Sequence, residues 1–128
     1  ERLVELLLRH GAEINLQNSN GVTALIAAVS NGHERVVDLL IQCGAEINKQ
    51  KSDGGTALLY AASQGHEWVV DLLLRRGARI DKQDNDGFTA LMFAAVEGRE
   101  RVVDLLLQRG AEINKQDGNG STALWVAA

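Results

Sequence analysis

A period of 33 residues runs through this chain and constrains its fold more than any other feature. Gly-Ala recurs at Gly11, Gly44, Gly77 and Gly110, and Thr-Ala-Leu at Thr23, Thr56, Thr89 and Thr122. Gly32, Gly65 and Gly98 keep the same register, as do the Val-Val-Asp-Leu-Leu runs beginning at Val36, Val69 and Val102. Such a period marks a solenoid, in which each unit buries against its neighbours an apolar face that it cannot bury alone.

One unit can be read residue by residue. Thr23 is an N-cap whose hydroxyl can take up an orphan backbone N–H. Residues 24–30 predict a short helix of small and apolar side chains, ended by Gly32 in the left-handed region. Residues 34–42 predict a second helix. Val36, Val37, Leu39, Leu40 and Ile41 form its apolar face, Glu34, Arg35, Asp38 and Gln42 stay wet, and Gly44 stops it. Residues 45–54 predict an extended, hairpin-like loop, with Asn20-Gly21 and Asp53-Gly54 as turn dipeptides. The expected class is therefore all-α: a solenoid of helix–turn–helix units with β-hairpin-like loops. Ala24, Ala27 and Ala28 let helices approach closely, and Ala61 and Ala94 hold equivalent places. Arg35–Asp38, Arg101–Asp104 and Asp71–Arg75 have the spacing of helical ion pairs.

The period divides residues 1–128 into one array: a partial unit 1–17, full units 18–50, 51–83 and 84–116, and a partial unit 117–128. Neither end has the polar face of a capping unit, and the chain does not begin with methionine. The expectation is a piece of a longer array, or an engineered one, whose apolar ends associate end to end.

Composition narrows the function. The chain is 45% hydrophobic and 23% charged with a net charge of −4. That is globular rather than disordered, and it argues against nucleic acid as a partner, because phosphate binding needs clustered Lys and Arg. No run approaches the ~18 apolar residues of a membrane helix, so no direct membrane binding is expected. Cys43 is the one cysteine. It can form neither an internal disulfide nor a cysteine zinc site, and the expected setting is reducing and intracellular, in the cytoplasm.

The run Asp84-Asn85-Asp86-Gly87-Phe88-Thr89-Ala90-Leu91, followed by Ala94-Ala95, Gly98, Val102-Val103, Leu105-Leu106-Leu107, Gly110-Ala111 and Ile113-Asn114, resembles the ankyrin repeat family. The resemblance covers essentially the whole chain. It implies an ankyrin-repeat α-solenoid whose loops and first helices form a concave face that binds a partner protein or peptide. The family's usual Thr-Pro-Leu-His is here Thr-Ala-Leu followed by Ile26, Leu59, Met92 or Trp125, so apolar packing is expected to replace the histidine contact. The resemblance also puts Asn15, Asn48 and Asn114 where asparaginyl hydroxylases modify some ankyrin proteins; hydrogen bonding within the loops is the simpler role.

No constellation supports catalysis, and no cofactor or metal is expected. His33 and His66 share a unit position just after the turn glycine, with Arg99 in the third unit, and helix-start roles suffice for them. His10 stands elsewhere in the unit, and Cys43 lacks a fixed base beside it. Asp38, Asp71 and Asp104 read as a solvated face rather than catalytic carboxylates. The glycine turns lack the phosphate-loop pattern.

The residues that break the period carry the functional expectation, since packing does not dictate them. At the loop tips these are Ser19, Asn20 and Val22, then Ser52 and Asp53, then Asn85, Asp86 and Phe88. On the first helices they are Ser30 and Asn31, then Tyr60, Ser63 and Gln64, then Phe93, Val96 and Glu97. The resemblance places them along the concave face. Tyr60, Phe88 and Phe93 would be aromatic anchors, and Asp53, Asp86 and Glu97 an acidic rim favouring a basic peptide. Tyr60 and Phe93 could alternatively pack between layers. Trp68, where other units have Arg35 and Arg101, is expected on the wetter, outer side. The alternative to a natural binding module is an engineered or consensus-like scaffold, suggested by the near identity of the Gly-Ala-x-Ile-Asn/Asp-x-Gln segments. Drift such as Cys43, Ser52 and Gly55 speaks against it.

Overall fold

A computed structural model describes all residues, 1–128, as eight helices without a strand. They are α1 (Arg2–Arg9), α2 (Ala24–Ser30), α3 (Glu34–Gln42), α4 (Ala57–Gln64), α5 (Glu67–Arg75), α6 (Ala90–Val96), α7 (Glu100–Gln108) and α8 (Ala123–Ala127). The bounds expected for the first complete helix pair match α2 and α3. Each first helix starts where a threonine hydroxyl accepts from the backbone N–H three residues on: Thr23 from Ile26, Thr56 from Leu59, Thr89 from Met92 and Thr122 from Trp125.

Gly-Ala has a defined task after each second helix. After α3, the Gly44 N–H bonds the Ile41 carbonyl at 3.1 Å and the Ala45 N–H bonds the Leu40 carbonyl at 3.0 Å. This is the Schellman arrangement; it requires the left-handed backbone that Gly44 adopts at φ +95°. The same pair of bonds recurs at Gly77-Ala78 and Gly110-Ala111.

The first helices stack as α2, α4, α6 and α8, and the second helices as α3, α5 and α7, each pair packing antiparallel within its unit. The first-helix stack is the closer of the two. Alanine makes that approach sterically feasible: Ala57, Ala61, Ala62, Ala90 and Ala94 are fully buried. A layer of Leu25, Val29, Val37, Leu58, Val70, Leu73, Leu91, Val102 and Leu106 fills the space between the stacks as one continuous core. Ile26, Leu59 and Met92, which follow Thr-Ala-Leu, are also buried in it.

The loops are tighter than hairpins. Each closes with two backbone bonds around the turn, such as Lys51 N–H to the Gly55 carbonyl and Gly54 N–H to the Lys51 carbonyl, both at 2.9 Å. Too few residues lie between the turn and the next helix for a ladder, so no strand forms. The tips bond to one another instead: Ser52 N–H to the Asn20 carbonyl, Asn85 N–H to that of Asp53, and Gly118 N–H to that of Asp86, each at 2.9 Å.

Two of the three expected helical ion pairs do not form. Arg35 reaches Glu1 at 3.8 Å. Asp38 and Asp104 accept from Gln42 and Gln108 one turn later, each at 3.0 Å. A neutral amide one full turn away holds the carboxylate without the cost of fixing a long, exposed arginine. Asp71–Arg75 does form, at 3.0 Å, and Asp71 also binds Arg109 of the next unit.

Candidate functional site

Two hydrogen-bonded ladders with the 33-residue period join the loops of successive units. Gln17 donates to the Gly21 carbonyl of its own loop at 2.8 Å and to the Gln50 carbonyl of the next unit at 3.0 Å. Gln50 and Gln83 repeat the pattern, reaching the carbonyls of Gln83 and Gln116. The second ladder uses the loop residues Asn15, Asn48 and Asp81. Asn15 accepts from Glu46 N–H at 2.8 Å, Asn48 from Arg79 N–H at 2.9 Å, and Asp81 from Glu112 N–H at 3.0 Å. These bonds lock loop to loop, so the loop tips form one continuous edge.

Where units 51–83 and 84–116 meet, the edge and the first helices enclose a hollow of about 220 Å³ lined by Asp53, Gly55, Leu59, Tyr60, Ser63, Asp84 and Phe93. Tyr60 and Phe93 are half-buried on successive first helices, so they both support the core and face the hollow. Phe88 packs on Phe93 with ring centroids 5.0 Å apart and planes tilted by 59°, a favoured aromatic geometry.

The second unit's loop departs from its neighbours in a coupled way. At the turn, Asn18, Asp84 and Asp117 each accept two backbone N–H groups; Asp84 takes those of Asp86 at 3.0 Å and Phe88 at 2.8 Å. Lys51 holds that place in the second unit and cannot accept. Asp53 accepts from Gly55 N–H instead, at 2.8 Å, and binds the Lys51 ammonium at 2.8 Å. The ammonium also lies 5.5 Å from the Tyr60 ring centroid, within cation–π reach. Gly55 stands where the other units have Val22, Phe88 and Ser121. A Cβ there would come within 2.9 Å of the Asp53 carboxylate and 3.1 Å of the Tyr60 ring, so the missing side chain makes room for the tyrosine. The hydrogen bond to Asp53, with Tyr60 adding to it, raises the Lys51 pKa. The hydrogen bond from Lys51 lowers that of Asp53 against partial desolvation.

The structure gathers Asp53, Tyr60, Ser63 and Phe93 at the hollow, with Phe88 behind Phe93. Other expected site residues serve the stacking of the array. Ser52 donates through its hydroxyl to the Asn20 carbonyl, and Asn85 donates to the Ser52 carbonyl at 2.9 Å. Gln64 donates to the Ser30 carbonyl at 3.0 Å, while its own Oε1 is buried without a partner. Val22 is half-buried against the core. Asn31 faces a separate apolar groove beside α1. Ser19, Asp86 and Glu97 are exposed, and Val96 is 48% exposed. Asp53 is not a free rim acid, because Lys51 neutralises it. His33 and His66 begin α3 and α5 without a side-chain cap bond, whereas Arg99 donates to the Ser63 carbonyl at 3.0 Å. Trp68 is 44% exposed, on the second helix of its unit, α5.

The glutamine ladder and the Lys51–Asp53–Tyr60 cluster were both missed by reasoning from sequence alone. The signals existed: glutamine recurs at 17, 50, 83 and 116, and lysine replaces an Asn/Asp turn residue at 51.

A unit of two helices and one stitched loop, stacked along the whole chain, defines an α-solenoid. The family model described as ankyrin repeats (3 copies) matches residues 1–84, 51–117 and 76–128. The chain belongs to the ankyrin repeat family, whose arrays are generally protein–protein interaction modules. No curated protein matches the chain at a significant level.

Proposed function

We propose that the array binds a protein or peptide segment along its concave face, with the hollow between Tyr60 and Phe93 as the anchoring point. The carrying observation is that hollow of about 220 Å³. It is bordered by two aromatic rings, on a face whose backbone groups are already held in ladders. A rigid face loses little entropy on binding, and buried aromatic contacts dominate interface energetics. Asp84, Asp86 and Glu97 form no ion pair within the chain, so the rim favours a segment carrying Lys or Arg. The role is binding rather than catalysis, in a reducing cytoplasmic setting where the free thiol of Cys43 persists.

A crosslinking pull-down tests the reading, comparing the chain with a Tyr60→Ala, Phe93→Ala variant of equal helicity. A protein captured by the first and lost by the second supports it. Equal capture moves the interface off this face, and capture by neither favours a scaffold without a natural partner. End-to-end association is a separate part of the reading. The groove beside α1, about 430 Å³ and lined by Leu3, Val4, Leu7, Leu8 and Ile14 among others, is open. At the other end Leu124 and Trp125 are 79% and 72% exposed. Sedimentation showing only monomers at high concentration would end that part.

A further inference from the structure

The net charge of −4 conceals a cationic surface. A hollow of about 660 Å³ lies where the loops of units 18–50 and 51–83 meet at their bases, and it shares no residue with the hollow at Tyr60. Lys49, Arg76, Arg79 and Lys82 line it, with Glu46 as the one carboxylate. Glu46 is engaged by Lys49 at 3.6 Å, whereas Arg76, Arg79 and Lys82 take part in no ion pair.

The charge at Arg79 is a local departure from the period: the other units have Glu13, Glu46 and Glu112 there, whereas Lys49, Lys82 and Lys115 share one place and Arg76 and Arg109 another. Arg76 and Arg79 are exposed, so packing does not require them. The floor beneath is fixed. Asn48 accepts from Arg79 N–H at 2.9 Å and donates to the Gly77 carbonyl at 3.1 Å, and Gln17 donates to the Gln50 carbonyl at 3.0 Å. Free guanidinium groups over a fixed polar floor suit bidentate carboxylate recognition. Ile47 is the one apolar residue of the lining, so little hydrophobic anchoring is on offer. Distant acids do not cancel the field, because charges beyond about 10 Å are screened at ordinary salt.

We propose that this hollow binds a carboxylate-rich, extended segment of a partner protein, independently of the concave face. The test is fluorescence anisotropy of labelled hexaglutamate with the full chain in low-salt buffer. The site variant is Arg76→Ala with Arg79→Glu; the second change restores the residue that three other units carry. The control variant, Arg2→Ala with Arg101→Glu, removes the same charge elsewhere on the surface. The expected result is binding that rising salt weakens, about tenfold or more weaker in the site variant and unchanged in the control. Three results would overturn the proposal: no binding by the unmodified chain, equal loss in both variants, or anionic lipid vesicles binding in an Arg76- and Arg79-dependent way while hexaglutamate does not bind.

Discussion

Gly54 and Gly77 both occupy the left-handed region, at φ +85° and +98°, yet they should respond very differently to the same substitution. An alanine at Gly77 meets nothing within 4 Å. Its cost is the conformational penalty alone, about 1–2 kcal/mol. An alanine at Gly54 carries that penalty too, and its Cβ would stand 2.7 Å from the Asn85 nitrogen and 3.0 Å from the Asp84 carbonyl carbon. Backbone cannot yield as a side-chain tip can, so the two loops must part. Parting them breaks the bond from Asn85 N–H to the Asp53 carbonyl and that from the Asn85 side chain to the Ser52 carbonyl, both 2.9 Å. Each is worth about 1 kcal/mol. The expected losses are therefore about 3–4 kcal/mol for Gly54→Ala and about 1–2 kcal/mol for Gly77→Ala. Urea unfolding followed by circular dichroism reads the difference; in a thermal melt the gap corresponds to roughly 8 °C. Equal losses would refute the idea that contact between loop tips stabilises the stack.

Ala61 is fully buried, so Ala61→Leu should overpack the first-helix stack and cost about 1–3 kcal/mol in a melt. Removing the cap hydroxyl with Thr56→Ala should cost about 1 kcal/mol, whereas Ser19→Ala at an exposed loop tip should leave the melt unchanged. Asp71 supplies a pH prediction. Desolvation would raise its pKa, but hydrogen bonds from Arg109 and then Arg75 outweigh it, and the carboxyl titrates below its ordinary value. A depressed folded-state pKa means stability that is fully present above the unfolded value of about 3.9 and lost as pH falls through the folded one. Asp71→Asn should therefore lower stability at neutral pH and flatten its decline in acid, measured by urea midpoints across pH.

The helices were legible because they depend on local rules that repeat. Threonine caps, Gly-Ala stops and the apolar faces of α3 and α5 are each set within a few residues. The contacts that define the candidate site were not legible in the same way. Gln17 to Gln50, Asn15 to Glu46 and Asn85 to Ser52 join residues 31 to 33 apart, and their geometry exists only after units stack. Asp53 is a local exception: read along the chain it is an exposed acid, but the turn sets it against the Lys51 ammonium two residues away, which neutralises it. The expected Arg35–Asp38 pair failed for a related reason: spacing permits such a pair without making it better than the Gln42 alternative.

Binding through the concave face is tested most directly by photo-crosslinking in cells. A benzoylphenylalanine is placed at position 96, exposed at the end of α6, or at position 101, exposed on the second helix of its unit, α7. A discrete crosslinked species from position 96 and none from position 101 is the predicted result. Crosslinking from position 101 alone, or from neither position, would contradict it.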